Sequence, residues 1–150
     1  MAYNRYLNNV IRKEHLQALS VSKDKLDGEQ KKTLIFEYDF ADLGGSQGAI
    51  TLTDENDVAQ TLPSGAIITE CLCDSLIPFA SGGAATVALG ITGNTDAFIG
   101  ATAYNNSGFL AVTTKNSEVP LKTGSAVSVL LTVATADLTA GQIRLHITYI

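Results

Sequence analysis

The sequence predicts an all-β fold, an eight-stranded jelly-roll-like β-sandwich preceded by an N-terminal helical or extended arm. Three observations lead there. From Thr33 onward, apolar and polar residues alternate with period two in short runs rich in Val, Ile, Leu and Thr. Clusters of Gly, Asn, Asp and Ser break these runs at spacings of about 8–15 residues, which favours a sandwich or barrel over an α/β sheet. No segment of the body carries a convincing helix pattern. Eight strands is the number of a jelly roll, although counting does not fix the topology.

The arm and its linker span residues 1–32. Tyr3, Tyr6, Leu7, Val10, Ile11, Leu16 and Leu19 recur at spacings near one helical turn, an imperfect apolar stripe. The stretch from Ser20 to Lys32 has almost nothing to bury and reads as a hydrophilic linker. A short isolated helix is marginal in water, so the stripe is expected to dock on its own body or on a neighbour.

The body spans residues 33–150. In TLIFEYDF, Leu34, Phe36, Tyr38 and Phe40 share one face while Glu37 and Asp39 take the other. The turn around Gly44–Gly48 leads into AITLTD, and polar loops at Asp54–Asp57 and Pro63–Gly65 follow. AIITECLCDSL is a long strand, expected to end at Pro78 and the Ser81–Gly83 turn. TVALGI is a strand closed by Thr92-Gly93-Asn94. AFIGATAY reads equally as strand or short helix, because Ala and Gly weaken both assignments. The turn Asn105–Gly108 precedes FLAVTT. SAVSVLLTVAT is a long strand, Asp137–Gly141 is expected to be a connection, and IRLHITYI ends the chain as a strand stitched into a sheet.

Charge is unevenly spread over the 150 residues. Residues 1–32 carry +3, whereas the rest of the chain carries −8, with only Lys115, Lys122 and Arg144 against eleven acids. A basic leader on an acidic body points to two surfaces with different partners. An acidic body repels phosphates, so specific nucleic-acid binding is not expected. No apolar run approaches the roughly 18–20 residues of a membrane span. The N-terminus lacks a continuous apolar segment of signal-peptide type.

Chemistry-bearing constellations are sparse. There are two histidines: His15 lies in the leader, and His146 sits between Leu145 and Ile147, facing the polar side of the last strand. No nucleophile elbow, P-loop or dinucleotide fingerprint is present. Cys71 and Cys73, at i and i+2 on one strand, point the same way about 6.6 Å apart, so a bridge between them would be strained. They are expected to be reduced, buried small hydrophobes in a protein made in a reducing cytoplasm. Metal binding is not expected, because the pair lacks nearby additional ligands. Thr53–Asp57 lacks the spacing of a calcium loop. No cofactor is implied, and the body reads as a scaffold rather than an enzyme.

The segments LGITGNTDAFIGATAY and TGSAVSVLLTVATADLTAGQIRLHITYI, under a third of the chain, resemble the small head-decoration (cement) proteins and other virion structural proteins of tailed bacteriophages. The resemblance implies a homo-oligomer, with a trimer favoured, on the outer surface of the head. There it would bind the major capsid protein lattice and stabilise it against internal DNA pressure. The arm residues Tyr3, Tyr6, Leu7, Val10 and Ile11 would then be anchors, and Arg5, Arg12 and Lys13 ion-pairing partners. Two other readings stay open: a tail, neck or baseplate adaptor of the virion, and a ligand-binding β-sandwich module. Exposed aromatics in the loops after Pro63, Gly82 or Asn105 would favour the latter, but only Tyr104 and Phe109 lie near such a loop.

Overall fold

The computed structural model describes residues 30–106, 113–114 and 118–150. The strands are β1 (Lys32–Asp39), β2 (Gly48–Thr51), β3 (Thr61–Leu62), β4 (Ile67–Ser81), β5 (Thr86–Ile91), β6 (Asn94–Ala103), β7 (Thr113–Thr114), β8 (Leu121–Lys122), β9 (Val127–Ala134) and β10 (Leu138–Tyr149); one helical turn, α1 (Phe40–Leu43), follows β1. The expected arm anchors fall outside the described residues.

The pairing is nested and antiparallel: β1 with β10, β2 with β9, β4 with β7 and β5 with β6. Rolling this ribbon of four pairs brings β10 against β4 and β9 against β5. The result is two sheets, β1-β10-β4-β7 and β2-β9-β5-β6, with β8 added to β4 and β3 to β9. That order is a jelly-roll sandwich. The eight expected strands correspond to β1, β2, β4, β5, β6, β7, β9 and β10. The two-residue β3 and β8 are too short to leave a period in the sequence.

Period-two alternation places the core between the sheets. Phe36, Tyr38, Ile68, Cys71, Cys73, Leu145 and Ile147 face inward from the first sheet. Val87, Leu89, Val129, Leu131 and Val133 face them from the second, with Phe98 of β6. Burying each large side chain contributes about 1.5–3 kcal/mol. One edge of the sandwich is closed by the chain itself. The Leu52 N–H donates to Val129 O at 2.9 Å in the second sheet. The next residue, Thr53, exchanges backbone hydrogen bonds of 2.7 and 3.2 Å with Glu37 in the first. Gln60 Nε2 donates to Ile35 O at 2.8 Å, so part of the exposed edge of β1 is also covered.

Four details differ from expectation. The first strand stops at Asp39, whose carboxylate accepts the Ala41 N–H at 2.8 Å and caps α1. Phe40 therefore packs on the core from a helical turn rather than from the strand. β4 does not end at Pro78 but runs to Ser81. The proline is tolerated because it lies between Ile77 and Ala80, where the ladder with β10 is irregular and does not require its missing N–H. The stretch 137–141 is mostly strand, since β10 begins at Leu138. The reversal is made instead near Thr135, whose φ is +73°.

The ambiguous segment 97–104 is strand, and β6 begins earlier, at Asn94. The pairing jumps from Ile91↔Asn94 to Leu89↔Ile99, so β6 bulges outward over the intervening residues. Its backbone at Asn94–Asp96 then fills the space a side chain at position 90 would need, which explains Gly90.

Candidate interaction surface

The outer face of the first sheet follows from strand parity. On β4, Cys71 and Cys73 face inward opposite Ile147 and Leu145, both thiols rather than half-cystines, as expected. Leu72 and Asp74 therefore face outward, opposite His146 and Arg144. His146 is half-buried on this outer face.

Across the middle of the face, Glu37, Arg144 and Asp74 stand in register on β1, β10 and β4. Arg144 donates from Nε at 3.1 Å and Nη2 at 2.9 Å to Glu37 Oε2. Gln142 Nε2 donates to Glu37 Oε1 at 2.7 Å. Both carboxylate oxygens of Glu37 are thus occupied. The guanidinium is held protonated above its ordinary range, first by this hydrogen bond and then by the carboxylate's charge. Among the described residues this is the one ion pair.

Toward the end of β4 the parity reverses. Ile143 faces Ser75, but the next residue back, Gln142, faces Ile77, so Leu76 is inserted without a partner. The insertion turns Ile77 to the outer face beside Gln142, where unbroken alternation would have carried it inward with Cys71 and Cys73. A further irregularity follows before Ala80. Phe79 returns to the core, its ring 5.8 Å from that of Tyr38 at 58°. The consequence is three consecutive exposed apolar residues: Leu76 at 41%, Ile77 at 48%, and Pro78.

Sequence reasoning missed this group. Its signal was present, because Leu76-Ile77-Pro78-Phe79-Ala80 breaks the alternation of the strand before it. The anchors that sequence reasoning did single out, Tyr3, Arg5, Tyr6, Leu7, Val10, Ile11, Arg12 and Lys13, lie outside the described residues.

The second sheet presents a different outer face. β2, β5 and β9 carry no ionisable side chain. Thr132 stands between Ala49 and Ala88, its Oγ1 buried without a hydrogen-bond partner. At one end of the sandwich the loops after Gly82 and Tyr104 meet around a shallow depression of about 500 Å³, lined by Gly83–Thr86 and Ala103–Asn105. Tyr104 is half-buried there and packs against the core, so its ring is only partly presented; Phe109 lies outside the described residues. Among the described residues, no three His, Cys, Asp or Glu side chains come together as a metal site would require.

No protein-family model and no curated protein matches the sequence. Solved structures do match in fold. A chain of the cyanophage Pam1 capsid asymmetric unit superposes with a TM-score of 0.59 at 20% identity, over 80% of this chain and 84% of that one. A chain of the acid-stable capsid of Helicobacter pylori bacteriophage KHP30 gives 0.56 at 16% identity, over 79% and 86%. One from the capsid of Ralstonia phage GP4 gives 0.57 at 18% identity, over 81% and 84%. At such identities the likeness is one of fold.

Proposed function

We propose that this chain is a non-enzymatic structural protein of a bacteriophage particle, a decoration or cement protein that binds the major capsid protein lattice on the head surface. The observation that carries the reading is the size of its structural neighbours. Eighty per cent of 150 residues is about 120, and 120 residues make up 84% of the Pam1 chain, which is therefore about 140 residues long. The KHP30 and GP4 chains come out at the same size. Small jelly rolls found in three phage capsids suit an accessory shell component better than the shell-forming subunit.

The physical design fits a mechanical role. A sandwich whose strands are knitted by long-range antiparallel ladders is a stiff body. The leader, with its Tyr/Leu/Ile stripe and +3 charge, would grip a neighbouring subunit. Association into a homo-oligomer, a trimer in the favoured form, would multiply weak contacts into strong attachment. Two buried thiols suit synthesis in the host cytoplasm before incorporation into the virion.

The reading is tested by locating and counting the chain in purified particles by cryo-electron microscopy and quantitative mass spectrometry. A copy number that scales with the capsomers of the head is expected. A single ring's worth of copies at the neck, tail or baseplate would make it an adaptor, and absence from particles would remove it from the virion.

A further inference from the structure

We infer that the outward run Leu76–Ile77–Pro78 is a docking surface for a partner protein that presents an apolar side chain beside Lys or Arg. An irregular ladder aims these residues at water: had Leu76 paired in unbroken alternation, Ile77 would follow Cys71 and Cys73 into the core. Bulges that re-aim side chains are features of sites rather than defects. Three adjacent apolar residues on a sheet face are a liability unless something covers them. The group is also rigid. β10 holds the strand beside it, and Phe79 anchors it from below against Tyr38, so little order is left to impose on binding.

Charge selects the occupant. Asp74 lies on the same strand, and Asp39 lies in the same cross-strand row as Ile77, through Gln142. The nearby cation, Arg144, is hydrogen-bonded to Glu37 and also feels the charge of Asp74 across from it. The apolar run therefore lies beside three carboxylates, Glu37, Asp74 and Asp39, with Arg144 as the cation among them, and this net negative rim attracts Lys or Arg once water is excluded. A second copy of this face would set carboxylates against carboxylates, so the occupant is a different protein. The inference rests on the virion reading for where that partner is found, and not for its chemistry.

The test uses the full chain with p-benzoylphenylalanine in place of Ile77, or of Thr132 on the opposite sheet as control, irradiated in the cells that make it. The expected result is an adduct from position 77 to another protein, mapped to a segment where an apolar residue adjoins Lys or Arg, and none from position 132. Asp74→Lys should lower the yield at least tenfold while circular dichroism stays unchanged. No adduct from position 77, an adduct to another copy of this chain, equal yields from both positions, or a yield indifferent to Asp74→Lys would each overturn the inference. Should the adduct form as expected while purified particles lack the chain, the virion reading fails and the docking surface stands.

Discussion

The ring of Phe79 occupies the space into which a side chain at Gly141 would project. Gly141 has φ +144°, a conformation that side chains resist, and it lies on β10 beside the irregular part of β4. One residue without a Cβ thus lets Phe79 turn inward and meet Tyr38. The exposed run of Leu76, Ile77 and Pro78 lies immediately before that inward turn.

Gly141→Ala is expected to lower stability by about 2 kcal/mol or more, since it combines backbone strain with overpacking. Urea denaturation measures it. Phe79→Leu in the same chain should recover part of the loss, with a coupling of about 1 kcal/mol. Strict additivity of the two changes would mean that the ring is not what excludes the side chain.

Gly90→Ala should behave differently. There the obstruction is the backbone of Asn94–Asp96, so no side-chain truncation relieves it. A loss of about 3 kcal/mol or more is expected by thermal denaturation. Gly82→Ala, with nothing within 4 Å of the added carbon, serves as the control and should cost less than about 0.5 kcal/mol. Equal behaviour of the two variants would refute the close approach of β6.

Glu37→Gln removes one charge from a pair whose side chains are 15% and 34% exposed. A cost of about 1 kcal/mol is expected in low salt, and less in 0.5 M salt, because the pair is partly open to solvent. Denaturation curves at both ionic strengths check this; a cost that does not shrink with salt would point to lost packing instead.

The Tyr38 hydroxyl donates to Gly44 O at 2.8 Å, and burial, with the neighbouring Asp39 charge, pushes its pKa up to about 12. The unfolded chain releases this proton near pH 10, and the folded chain holds it longer. The contribution to stability is therefore complete below pH 10 and is lost as pH rises through about 12. Tyr38→Phe should lose about 1 kcal/mol at neutral pH through the missing hydrogen bond. Its stability should also fall less steeply above pH 10. Parallel urea titrations of the two proteins across that range decide the matter.

Substituting Tyr6→Asp and Leu7→Asp together is expected to leave the strand spectrum unchanged by circular dichroism while abolishing incorporation into particles. Wild-type occupancy by the double variant would rule out the leader as an anchor.

Much of the body was legible because burial imposes period two on any strand with one wet face. β5 was read to its ends, and the alternation of the first and last strands put Phe36 and Tyr38, and Leu145 and Ile147, on shared faces that prove to be inward. Cys71 and Cys73 were placed inward by the same parity. What escaped were places where the ladder slips. Pro78 read as a terminator, although an irregular register makes its missing N–H harmless. Residues 137–141 read as a loop, although Gly141 serves a bulged strand. The candidate surface lies at such a slip, so alternation alone could not display it.

By itself, then, the sequence determined the class of the fold, eight of the strands and the faces of the regularly alternating ones, because local alternation and turn chemistry are properties of neighbours along the chain. The tertiary structure decided which strands pair, how the ribbon rolls into two sheets, and which apolar residues are left outside. Those outcomes depend on contacts between residues far apart in sequence, such as Glu37 with Arg144, Gly141 with Phe79, and Gly90 with the backbone of β6. A register shift of one residue exchanges the inner and outer faces of a strand. Only the partner strand fixes where that shift falls, so only the folded chain reveals Leu76 and Ile77 facing water.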